Sequence, residues 1–199
     1  MIEVTAKQVR ELRSSTGAPM MTCKSALLEC KGDVEAAKDW LRTKGVEVAG
    51  KKSGRDANEG LVGVCINNTD AGVSAAMVTV NCETDFVAKN VQFQEFVAKY
   101  AQRWSMGASV DSGELIELIA AVGENIQLGG NAVLNKTTGV VASYVHNKVA
   151  EGLGSIGVLV HLDGEPSDEL ASLAKDIAMH IAALNPKAVD ENSLDAEWL

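Results

Sequence analysis

Aromatic residues make up only 4% of this 199-residue chain. A core must therefore be aliphatic, built from Val, Leu, Ile and Ala. Positive charge is also scarce. Lys and Arg number 18 against 27 Asp and Glu, giving a net charge of −9 and a pI of about 4.8. A field of that sign repels phosphate backbones, which argues against direct nucleic-acid binding. The four cysteines (Cys23, Cys30, Cys65 and Cys82) form no C-x-x-C pair, and His146, His161 and His180 lie far from them along the chain. Zinc-ligand spacing is absent. The chain is too long for a small disulfide scaffold, so the thiols read as reduced and the localisation as cytoplasmic. No apolar stretch reaches the length of a membrane span, and residues 1–10 hold no signal-peptide core. No phosphate loop, dinucleotide fingerprint or nucleophile elbow occurs. These absences favour a binding protein over an enzyme, with no cofactor and no metal.

What is present is a folding composition, 46% hydrophobic with a mean hydropathy of +0.03. Residues 1–45 read as a three-helix domain. Thr5 caps a first helix through about Arg13, with Val9 and Leu12 on one face. Gly17 and Pro19 separate it from a second helix, about Met20 to Cys30. Gly32 ends that helix and Asp33 caps a third, which runs to about Thr43 and stops at Gly45. Residues 46–59 are basic, small and glycine-rich, and read as a linker. The solvated face is the plain reading for Lys51, Lys52 and Arg55 there.

After Gly60 the hydrophobic period shortens. "GLVGVCIN" and "AAMVTVN" are strand-like runs around the turn composition "NTDAG". A helix from about Phe86 to Trp104 follows, then a second helix ending at Gly123, and strands "IQL" and "NAVLN" around Gly129-Gly130. "TGVVASYVHN" and "SIGVLVHLDGE" then echo the first pair of strands. The closing helix carries Leu170, Leu173, Ile177, Ile181 and Leu184 on one stripe, ended by Pro186. The reading is α+β: a small helical head, then a core of two related strand–strand–helix halves at 60–136 and 137–199.

Two places admit a plain and a functional reading. Phe86, Phe93, Val97 and Tyr100 sit at helical spacing, so on pattern alone Phe86 is core. The alternative places it on an exposed first turn, with Thr84 and Asp85 as caps or contacts. Met20 and Met21 are neighbours at a helix start, where both cannot be fully buried on one face. A Cys82–His146 nucleophile pair is a weaker reading, because Glu83 and Asp85 flank the thiol and disfavour a thiolate. "VGENI", Val122 to Ile126, reads as a simple helix-to-strand turn, and His180 as a packing residue.

Four motifs in register carry more information. "ELRSSTGAPMMTCKSALLECKGDVEAAKDWLR", "VNCETDFVAKN", "VGENI" and "DIAMHIAALNP" together closely resemble the elongation factor Ts family, across nearly the whole chain. The resemblance implies a guanine-nucleotide exchange factor whose partner is elongation factor Tu. It implies a ubiquitin-associated-like head and an α+β core. Thr84, Asp85, Phe86 and Val87 would form the intruding motif, with Phe86 wedging near the Mg²⁺-organising region of the GTPase. Arg13, Met20, Met21 and Lys24 would be head contacts, and Ile126 and His146 core contacts. The sequence departs from the family where "GAGMMDCK" reads "GAPMMTCK", and where "QLGGN" rather than a pair of arginines follows "GENI". Longer members continue past the point matching Leu199 into a helical hairpin and a C-terminal module, which leads us to expect weaker partner binding here. Homodimerisation, through the core or through those further segments, is the other association the resemblance allows. The competing expectation is a protein-binding scaffold whose head recruits a ubiquitin-like partner.

Overall fold

In a computed structural model, residues 4–69 and 72–193 are described. Helix α1 spans Ala6–Thr16 and α2 spans Met20–Glu29. Thr5 and Gln8 form a reciprocal capping box at the start of α1, which satisfies two donors the helix itself leaves open. Gly17 closes α1 with φ +68°, its N–H donating to the Arg13 carbonyl at 2.8 Å. Helix α3, Val34–Lys52, starts on an Asp33 side-chain cap. Leu12, Cys23, Ala26, Leu27 and Ala37 are fully buried where these helices meet.

The stop expected at Gly45 does not occur. Helix α3 runs seven residues beyond it, so the linker read at 46–59 narrows to an irregular stretch at 53–58. Gly45 is buried against helix α6 (Ser112–Val122), where an added Cβ would lie 3.1 Å from Ile116 Cγ2. A helical glycine costs about 0.5–1 kcal/mol in propensity. Here its small size permits close helix packing. Glu47 adds support by pairing with both Lys44 and Lys51 at 2.6 Å.

Strands β1 (Glu59–Thr69) and β2 (Gly72–Cys82) form a long antiparallel pair; residues 70 and 71 of the expected "NTDAG" turn lie outside the described residues. Strand β3 (Gln127–Lys136) adds to β2, and the short β5 (Leu153–Gly154) adds to β1, giving the order β3-β2-β1-β5. The two strands expected around Gly129-Gly130 are one. The register shifts opposite Thr79, and Thr79 Oγ1 donates to the Gly130 carbonyl, so the glycines form a bulge within β3. Helix α5 (Val91–Ser105) covers the sheet with Phe93, Val97, Tyr100 and Ala101. A second antiparallel pair, β4 (Val140–His146) and β6 (Ile156–Leu162), packs against helix α7 (Asp168–Leu184). The buried positions of α7 are Ala174 and Ala178, flanked by partly buried Ile177 and Ile181. Leu173 and Leu184 of the expected stripe are exposed. A two-strand sheet is too narrow to cover them, and small residues let the helix sit close. The architecture is mixed helix and antiparallel sheet.

Candidate functional site

The helix expected from Phe86 to Trp104 is two helices. Helix α4, Asp85–Ala88, is a single turn, and the chain resets at Lys89 and Asn90 before α5 begins. Each has its own N-cap. Thr84 Oγ1 accepts from the Val87 N–H at 3.4 Å, and Asn90 Oδ1 accepts from the Gln92 N–H at 2.8 Å. The reset takes Phe86 off the stripe that Phe93 and Val97 follow. Phe93 is fully buried, whereas Phe86 is 80% exposed. Burying a Phe side chain is worth about 1.5–3 kcal/mol, and the fold leaves that unused.

Helix α4 is too short to hold itself in place. A clasp between two loops does so. Glu124 accepts from the N–H groups of Glu83 and Thr84 at 3.0 Å each, and from the Thr84 hydroxyl at 2.6 Å. In return Glu83 accepts from the Asn125 N–H at 2.6 Å. Hydrogen bonds to an ionised carboxylate are shorter and stronger than those between neutral groups. Glu83 is held below the usual carboxylate range chiefly by the Asn125 N–H and then by Arg55. On α4, Lys89 reaches back to Asp85 at 2.7 Å and holds its carboxyl low as well.

The expected site residues therefore divide. Asp85 and Phe86 face solvent; Thr84 is engaged with Glu124, and Val87 is buried under the turn. Ile126 is buried. It is only 3% exposed and belongs to the core cluster around Phe93 and Val97, so its side chain has no free surface for a partner. It anchors the clasp loop from beneath. Glu83, Glu124, Asn125 and Arg55 were not among the expected residues. The one available signal was an acid beside a turn in each of "CETD" and "GEN", and spacing alone does not show that these turns meet.

Arg13, Met20, Met21 and Lys24 are all exposed. Arg13 lines a groove of about 640 Å³ with Arg10, Gly17 and the α5 start at Asn90, Val91 and Gln92. Met20, Met21 and Lys24 line an adjoining apolar hollow of about 300 Å³ that Arg10 shares. Arg10 is the lining residue common to both, and the first of them brings α1 and Gly17 beside the start of α5. His146 is apart from them, exposed at the end of β4, with Nδ1 3.1 Å from Tyr144 Oη.

The chemistry of Cys82 opposes a nucleophile. Its side chain is buried and donates to the Thr84 carbonyl at 3.1 Å. Burial, then Glu124, pushes its pKa up to about 12. At neutral pH it is a thiol. Among the described residues, no cluster of three or more His, Cys, Asp or Glu could hold a metal, and no helix is long and apolar enough to cross a membrane.

Residues 83–199 match the family described as Elongation factor TS. Along 98% of its length the chain is 50% identical to elongation factor Ts of Zymomonas mobilis, covering 67% of that protein. It is 49% identical over its full length to elongation factor Ts of Gluconobacter oxydans, covering 70% of it. Against that of Methylobacterium radiotolerans, identity is 48% over 98% of the chain and 68% of the relative.

Proposed function

The chain belongs to the elongation factor Ts family, and from that premise we propose how its residues act in guanine-nucleotide exchange on elongation factor Tu during translation elongation. Phe86 is the wedge. The observation that carries this reading is an 80% exposed Phe on a one-turn helix clamped from below. A GTPase holds GDP through phosphate-loop N–H groups and through Mg²⁺ on the phosphate oxygens. A side chain that displaces the groups organising that Mg²⁺ removes contacts from the nucleotide. Linkage then makes nucleotide and exchange factor weaken each other's affinity by the same factor. An aromatic ring suits this role, because its own burial offsets the work of moving the GTPase side chains.

Asp85 stands beside Phe86 as a polar contact, with Thr84 and Val87 setting the turn. The head, which we read as ubiquitin-associated-like, docks on the nucleotide-binding domain through Arg13, Met20, Met21 and Lys24. The exposed methionines supply adaptable apolar contact. His146 is a further contact from the second sheet. The protein performs no covalent step in this scheme.

The test is release of fluorescent GDP from elongation factor Tu. Wild type is expected to accelerate it, and folded Phe86→Ala to lose at least roughly tenfold of the acceleration, the scale of one buried aromatic anchor. An unchanged rate for Phe86→Ala would overturn the wedge.

A further inference from the structure

The irregular stretch that leaves α3 is tied to both loops of the clasp. Lys52 Nζ donates to the Gly123 carbonyl. Asn125 Nδ2 donates to the Arg55 carbonyl at 2.6 Å, and Asn81 Nδ2 to the Ala57 carbonyl at 3.2 Å. The Arg55 guanidinium lies 3.4 Å from Glu83 Oε2. Asn125 is the centre of this network. The residue is 3% exposed, a rare burial for Asn, and both its N–H and its Nδ2 are used. A continuous chain of hydrogen bonds therefore runs from the head's last helix through residues 55–57 and Asn125 to Glu83, and by the Glu83–Glu124 exchange to Thr84 and the turn bearing Phe86.

We infer that Asn125 is a positioning residue that fixes the Phe86 turn relative to the helical head, so that head contacts and wedge engage the partner as one preorganised unit. The inference rests on the exchange role given above. It differs from a role in core stability because the Asn125 amide reaches the segment joining head to core, not the sheet. Without that bond, the 55–57 segment keeps its ties through Lys52, Asn81 and the Arg55 guanidinium but loses its direct link to the 123–125 loop, so the clasp is held less tightly. The wedge must then be ordered at the moment of insertion, which costs rate without removing any partner contact.

Asn125→Ala, with Arg55→Ala as a milder surface variant, tests this in the full chain. Two readouts are needed. The first is the ¹⁹F resonance of a fluorinated Phe incorporated at position 86 in the free protein, which reports the turn without any partner. Asn125→Ala is expected to shift and broaden it, with Arg55→Ala intermediate. The second is GDP release measured across exchange-factor concentration. The maximal rate is expected to fall roughly five- to tenfold, the worth of one hydrogen bond, while the half-saturating concentration changes less than about twofold. An unchanged resonance in both variants overturns the inference, whatever the rate does. So does a loss confined to the half-saturating concentration. If wild type itself fails to accelerate release, the exchange role fails, and the resonance still decides whether Asn125 holds the turn. If Asn125→Ala does not fold, the resonance of Asn125→Ser, whose shorter polar side chain no longer reaches the Arg55 carbonyl, decides it.

Discussion

Phe86 and Phe93 are seven residues apart, yet one is exposed and the other fully buried. The reset between them accounts for the difference: α4 closes at Lys89, and the Asn90 side chain caps a new helix. At the same scale, Glu83 and Glu124 each give a carboxylate to the backbone of the other's loop. The Glu83 arm has a pH consequence. Its carboxyl titrates below its ordinary range because the ionised form accepts from the Asn125 N–H and faces Arg55. A depressed folded value gives stability that is present above the unfolded pKa, about 4.3, and is lost as pH falls through the folded value. The Tm of wild type is therefore expected to fall more steeply than that of Glu83→Gln between about pH 5 and pH 3. Parallel acid slopes in calorimetry would show that the Glu83 charge does not hold the clasp.

Among elements, the sequence was most informative where a cap stands alone. Thr5, Gly17 and Asp33 mark helix ends that the structure keeps within a few residues. Gly45 was misread because glycine stops helices when nothing packs on it, whereas here α6 does. Bulky replacement should expose that role. Gly45→Val is expected to destabilise by about 1–3 kcal/mol in denaturant unfolding, the usual cost of overpacking a fitted contact. A change under about 0.5 kcal/mol, typical of an unconstrained surface site, would mean that α3 and α6 are not closely packed. The α7 stripe was misread for the complementary reason. Large apolar residues were assumed to be core, but a narrow sheet selects Ala174 and Ala178. The clasp was the least legible part. Its residues come from segments some 28 to 71 positions apart, and no local pattern announces a pairing of that range. For Phe86, by contrast, periodicity favours the core and leaves an exposed first turn as the alternative, and it is the alternative that the structure shows.

Across the whole molecule, Arg10 lines both the hollow of Met20 and Met21 and the groove where Arg13 meets the start of α5. The chain spans about two thirds of the length of the relatives it matches. Within that span lie the helical head, the clasp and the exposed Phe86. In the proposed scheme labour divides by position: the head supplies contact area, Phe86 the displacement, and Glu124 the rigidity that joins displacement to binding. If that division holds, Glu124 has no effect on exchange except through the turn that carries Phe86.

A double-mutant cycle on the maximal rate of GDP release tests this most directly, using Phe86→Ala, Glu124→Ala and the pair, each checked for folding by thermal melt. Each single variant is expected to slow release roughly tenfold or more, and the pair to be no slower than Phe86→Ala alone within about twofold, the signature of coupled residues. Losses that multiply in the pair would contradict the account, because Glu124 and Phe86 would then act independently.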